Sequence, residues 1–133
     1  MAVVVDTHAL VWYLNNDRSL SVTATDAIAR AEAGGEAVVS VASFIDVWYV
    51  SQTTGAVSAS EVDQIVRLVR KRGSGFRVAG VTARVALESN RIGRAALPDP
   101  WDRLIVATAR ARALPLVTKD RRITRSGLVP TVW

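Results

Sequence analysis

Residues 97–120, LPDPWDRLIVATARARALPLVTKD, contain a helix and the strand that follows it. Asp99 before Pro100 reads as an N-cap and a first helical residue. Aspartate accepts the free amides of a helix start, and proline at that position forfeits no hydrogen bond. Leu104, Ile105, Val106 and Ala107 carry the helix on to about Arg112. LPLVTKD then gives a short apolar run closed by Asp120, the pattern of a buried strand. Asp102, three residues after Asp99, occupies the N3 position of a capping-box-like pair. Capping alone would explain both acids if they were the only well-placed ones.

The same grammar extends outward in both directions. AVVVD (2–6) is a β-branched apolar run ending in an acid, and THALVWYLNN after it reads as a short helix. SLSVTATDAIARAEAGG has hydroxyl caps at its start, helical periodicity and Gly34-Gly35 as its stop. EAVVS is a second buried strand, and ASFIDVWYVSQT a helix ending before Gly55. SASEVDQIVRLVRKRG opens with a Ser58–Glu61 capping box and puts Val62, Ile65, Val66 and Val69 on one face. FRVAG is a third strand, TARVALESN a helix capped by Thr82, and KDRR a turn at Asp120. Strands alternating with helices predict a three-layer α/β/α fold, with a central parallel sheet of four strands, or five if VPTVW pairs. Nothing resembles a linker or repeat, so residues 1–133 are expected to form one domain.

Composition narrows the chemistry. The 133 residues hold no cysteine and one histidine, His8, which excludes disulfides, thiolate zinc sites and histidine-rich metal sites. A metal would have to be held by oxygen, which points to Mg²⁺, with Mn²⁺ as a substitute. No apolar run is long enough to span a membrane and no secretory leader is expected, so the expected setting is the cytoplasm. Charge is uneven: residues 1–50 carry six acids and two arginines, the rest six acids and fifteen bases, nearly all arginine. Such a balance fits a polyanionic partner, or arginines that only solvate helix faces.

In open α/β sheets, ligands bind outside the carboxyl ends of the strands. Asp6 closes the first strand and Asp120 follows the fourth. Asp99 and Asp102 open a helix facing the same edge, and Asp46 lies about one turn into the helix after the second strand. Each has a structural alternative: Asp6 as an N-cap, Asp120 as a turn residue, Asp46 as an acid paired with an arginine. Asp46 is the hardest to explain that way. Phe44, Ile45, Val47, Trp48 and Tyr49 surround it, no arginine lies in its helix, and an unpaired carboxylate costs several kcal/mol to bury. Together the positions favour a metal site suited to phosphoryl chemistry. Competing inventories are missing. There is no G-x-x-x-x-G-K-[ST] loop, no G-x-G-x-x-G after the first strand and no credible Ser-His-Asp set, and His8 reads as a helix-start or core residue.

With these residues assembled, the chain resembles the PIN-domain ribonucleases, in particular the VapC-type toxins of toxin–antitoxin pairs. The likeness runs over essentially the whole chain. VVVDTHALVWYL looks like the family's opening strand and first acid, and VVSVASFIDVWYV stands in place of its second acidic helix. LPDPWDRLIVATARARALPLVTKD is similar to the third and fourth acidic segments. The resemblance implies Asp6, Asp46, Asp102 and Asp120 as catalytic Mg²⁺ ligands, Asp99 as mainly a cap, and Thr118 as a supporting hydroxyl. It implies cleavage of cellular RNA by metal-activated water, a homodimer, and a small antitoxin lying in an apolar groove near Trp12, Phe44, Trp48 and Tyr49. Arg103, Arg110, Arg112 and Arg121 are candidate RNA phosphate contacts. Two positions depart from the family pattern: Asp46 stands where glutamate is usual, and Val50 where a lysine is common. The departures keep a catalytically weakened RNA- or protein-binding module open as an alternative, beside a structure-specific DNA nuclease of the same fold.

Overall fold

A computed structural model describes all 133 residues. Five strands form one sheet in the order β3-β2-β1-β4-β5, every neighbouring pair parallel. They are β1 (Val3–Val5), β2 (Ala37–Ser40), β3 (Phe76–Ala79), β4 (Leu116–Val117) and β5 (Thr131–Val132). The helices are α1 (Thr7–Leu14), α2 (Val22–Ala33), α3 (Val41–Thr53), α4 (Ala59–Arg70), α5 (Ala83–Arg91), α6 (Pro100–Arg112) and α7 (Arg121–Ser126). This is the three-layer arrangement that the alternation of strands and helices predicts, with VPTVW pairing as the fifth strand. No helix is long and apolar enough to cross a membrane.

Side chains alternate across each strand, so the apolar strand runs divide between two cores. Val3, Val5, Ala37, Val39, Phe76 and Val117 face one layer, packed by α1, α2 and α4 through Leu10, Ile28, Val62, Ile65 and Val69. Val4, Val38, Ala79 and Leu116 face the other, packed by α5, α6 and α7 through Val85, Ile105, Val106 and Ile123. Helix α3 contributes to both, Ala42 to the second and Val47 to the first. Burial on both faces is why the central strands read as continuous apolar runs.

One element departs from the sequence reading. KDRR opens α7, a helix rather than a simple turn. Asp120 is its N-cap, accepting from the Arg122 and Ile123 amides. At six residues, α7 is too short to show a periodic apolar face. β1 also ends at Val5, with Asp6 passing directly into the α1 N-cap position.

The loop before β3 carries a tight backbone approach. Gly75 has φ +84°, and a Cβ there would collide with the backbone carbonyl of Glu32 at the end of α2. Gly73 has φ +79° with open space around it. Gly73→Ala should therefore carry only the left-handed backbone penalty, about 1–2 kcal/mol. Gly75→Ala should lower Tm further, by about 4 °C for each additional kcal/mol in a chain of this size. Thermal melts of the two variants check this; equal losses would remove the steric role of the α2–β3 approach.

Candidate active site

β1 is the centre of the sheet, and the order of strand addition reverses between β1 and β4. A crevice opens at such a switch point, beyond the carboxyl ends of the two strands. Val5 pairs with Val117, and one step further places Asp6 level with Thr118. Asp6 is buried, 7% exposed. Its Oδ1 accepts the Thr7 amide at 2.8 Å, and its Oδ2 accepts the Thr118 hydroxyl at 2.6 Å. Thr118 Oγ1 in turn accepts the Asp120 amide at 3.1 Å, which ties the start of α7 to the end of β1.

Around this pair lies a cavity of about 480 Å³ lined by Asp6, His8, Trp12, Asp46, Asp99, Asp102, Lys119 and Asp120. All five acids singled out in the sequence thus meet at one edge, delivered by β1, α3, α6 and α7. Asp99 caps α6 by accepting the Trp101 amide at 2.8 Å. Asp102 forms no reciprocal capping bond, so its charge is not explained by the helix start. The three ion pairs of the chain, Met1–Glu36, Arg91–Glu88 and Arg110–Glu88, involve none of the five.

None of the four candidate arginines lines this cavity. Arg103 donates to the Leu97 and Pro98 carbonyls at 2.7 and 2.9 Å, bracing the loop before α6. Arg110 is held by Glu88 and the Leu128 carbonyl, and Arg112 lies beside it in the last turn of α6. A 13-residue helix is roughly 18 Å long, so these two stand at the end opposite the acids. Arg121 is exposed and follows directly on Asp120. Lys119, absent from the candidates drawn from the sequence, lines the acidic cavity itself. Its one sequence signal is its place beside Asp120. His8 lines the cavity too, from the first turn of α1, against Trp12 at 5.7 Å between ring centroids.

Unbalanced acids in a recess disturb one another. Burial, then repulsion from Asp6, Asp99, Asp120 and Asp46, raises the Asp102 carboxyl to about 7. Burial also raises Asp6, against the lowering effect of its bonds from Thr118 and Thr7. Asp46 is half-buried and raised by burial and by Asp99. The Thr7 hydroxyl lies close enough to offset part of this, without standard hydrogen-bond geometry. The donor set is all hard oxygen with no compensating ion pair, which fits Mg²⁺ or Mn²⁺. As the side chains stand, no three acidic or histidine groups close on a common point, so binding an ion requires them to swing inward.

The sequence model of the PIN domain matches residues 3–127. Ribonuclease VapC22 of Mycobacterium tuberculosis (strain ATCC 25618 / H37Rv) is 32% identical over 134 residues, 98% of each chain. The chain belongs to the PIN-domain family, in its VapC-type branch. Two solved structures share the PIN fold over nearly its full length. VapBC2 from Rickettsia felis, bound to a DNA fragment from their promoter, aligns over 98% of this chain and 97% of that one, with TM-score 0.69 and 15% identity. A toxin–antitoxin complex from Klebsiella pneumoniae aligns over 90% and 87%, with TM-score 0.61 and 18% identity. In this PIN domain, as in open α/β sheets generally, the acids gather where the strand order reverses.

The raised Asp102 carboxyl sets a direction for stability against pH. Unfolded, it titrates near the ordinary value of about 3.9. The native state therefore holds more protons between that value and about 7, and metal-free stability falls as pH rises through this window. Asp102→Asn should flatten the decline and raise Tm at pH 8 by a few degrees. Asp99→Ala should instead lose a cap worth about 0.5–2 kcal/mol and keep most of the pH dependence. Melts across this pH range in EDTA measure both. An Asp102→Asn protein that is less stable at pH 8 would show that Asp102 is a helix-start acid only.

Proposed function

We propose that this chain is a divalent-metal-dependent endoribonuclease acting as the toxin of a toxin–antitoxin pair. One observation carries the reading: two acids without a capping role, Asp46 and Asp102, face the same cavity as Asp6 and Asp120, and no cation pairs with any of them. The 32% identity to a protein named as a ribonuclease supports the choice of RNA.

Asp6, Asp102, Asp120 and Asp46 would hold the ion, with Asp99 at the margin. Such an ion supplies Lewis acidity at a phosphodiester and lowers the pKa of water for in-line attack. Thr118 fixes the Asp6 carboxylate from one side and leaves acceptor capacity on both oxygens for a cation. Burial and its acidic neighbours raise the Asp102 carboxyl to about 7, so an ion competes with a proton there. Metal uptake at this site should release protons and strengthen as pH rises through about 7. Asp46 has one methylene less than glutamate and reaches the cavity from a half-buried position on α3.

Ile45, Trp48 and Tyr49 are exposed on α3 beside Asp46, and a small antitoxin is the partner we assign to this apolar face. Phe44 packs into the first core and Trp12 into the acidic cavity, which leaves Trp48 and Tyr49 as the aromatic contacts for it. A homodimer in the cytoplasm completes the reading.

The purified chain should cut single-stranded or looped RNA with Mg²⁺ or Mn²⁺ and stop in EDTA. Asp102→Asn should abolish cleavage, by at least about a hundredfold where an essential group is lost. Asp46→Glu should keep or raise activity, and Asp46→Ala should lose it. RNA binding without metal-stimulated cleavage would instead identify a binding module. If Asp46→Glu overpacks and destabilises the helix with no selective effect on cleavage, Asp46 is a structural acid and leaves the ligand set.

A further inference from the structure

The acidic cavity has two unlike flanks. On the α3 side, Tyr49 lies 5.8 Å from Trp101 and 5.0 Å from Trp48 between ring centroids, next to Asp46 and Asp99. No free cation accompanies that group, so a polyanion gains little there. On the α7 side, Lys119 is shared with an adjoining cavity of about 470 Å³, whose other walls are Thr118, Arg121, Thr124, Arg125 and Trp133. That volume lies in the range of small-ligand sites, about 300–1,000 Å³. Lys119, Arg121 and Arg125 enter no ion pair. Trp133 stands edge-on to Trp12 at 5.9 Å, and Lys119 Nζ sits 5.7 Å from the Trp12 ring and 6.0 Å from the Trp133 ring.

We propose that this adjoining cavity is a subsite for one nucleotide of a single RNA strand, next to the phosphodiester held at the acids. The base packs on Trp133, and the phosphate lies on Arg121 and Arg125, with Lys119 at the seam between the cavities. The inference rests on the ribonuclease reading and deepens it. Free cations interleaved with aromatic faces are what unpaired nucleic acid requires, because every base has a face to stack and every linkage a charge to neutralise. The acids and the cations also divide the work. An acidic pocket repels a polyanion until a divalent ion fills it, and the Lys119–Arg125 wall holds the strand in register beside it. Asp120 and Arg121 are consecutive yet line different cavities, so the start of α7 fixes the spacing between the two.

The test uses the full-length Asp102→Asn protein with Trp48→Phe and Trp101→Phe, so that fluorescence reports Trp12 and Trp133 alone. A short single-stranded RNA of mixed sequence should quench it. Arg125→Ala should weaken binding and lower the slope of log affinity against log salt by about 0.7. Trp133→Leu, which keeps apolar bulk, should weaken binding about fivefold or more. If Trp133→Leu fails to fold, Arg121→Ala with Arg125→Ala carries the test through the salt slope. Unchanged affinity and slope in the arginine variants would overturn the subsite. So would a polyglutamate peptide that binds as tightly as the RNA and quenches equally, since the wall would then suit an acidic protein segment.

Cleavage assays separate this proposal from the one it rests on. In the otherwise wild-type chain, Arg125→Ala should raise KM and leave kcat nearly unchanged. Metal-dependent cleavage with an unaltered KM and unaltered binding removes the subsite and keeps the ribonuclease. Quenching and salt-slope effects in a chain that cuts no RNA keep the subsite and remove the ribonuclease.

Discussion

The hydrogen bond from Thr118 to Asp6 joins the two strands between which the sheet changes direction. It forms only if β1 and β4 pair in the observed register, Val5 against Val117. That register is strongly specified. A shift of one residue would exchange Val4 with Val3 and Val5 between the two cores, on a strand buried on both sides. The two apolar layers thus determine where a carboxylate lies at the rim, and the hydroxyl determines how it points. The Asp120 amide extends the constraint into α7, so an error in the central pairing would move acids from both ends of the chain.

Capping and the proposed ligation look like rival explanations for the acids, yet one position can serve both. Helices that follow parallel strands start at the carboxyl edge, so their N-caps face the crevice. Asp6, Asp99 and Asp120 cap α1, α6 and α7 and border the same cavity. The positive end of each helix dipole helps hold these charges where they would otherwise repel. Asp46, in the second turn of α3, has no such support, and Asp102, in the first turn of α6, accepts no capping bond. Both are raised by burial. The argument for function therefore rests more on these two than on the three that also serve the fold.

Most of this architecture is legible in the amino-acid sequence because its elements are strongly marked. Short apolar runs rich in valine mark the strands, and Ser21, Ser58, Thr82 and Asp99 mark helix starts that the structure reproduces. α7 is not legible, being too short for a periodic face, and so the capping role of Asp120 is hidden inside an apparent turn. The arginines show the limit of composition. Arg103 and Arg110 look like free cations in sequence, but their partners are backbone carbonyls and Glu88, and only the fold brings these near. Trp12, Lys119 and Trp133 meet from three distant segments, and no local pattern announces that meeting.

The price of the site is local. Five carboxylates meet at the rim with one lysine at their border, and the caps and the Thr118 hydroxyl relieve only part of the cost: burial still raises Asp6, Asp46 and Asp102. Stability must come from below, where Val4, Val5, Val39, Ile105, Val106 and Leu116 are wholly excluded from solvent. Large aliphatic side chains buried to that degree contribute about 1.5–3 kcal/mol each, enough for a few such residues to outweigh a strained rim. The rim is also where the proposed ion would act. A cation that binds only the folded chain turns mutual repulsion into shared attraction, and its stabilisation grows with concentration above its dissociation constant. Metal-free protein should therefore keep both apolar layers intact while its carboxyl edge is the least stable part of the structure. Separating support from function in this way lets the acids be placed for chemistry without regard to their mutual cost.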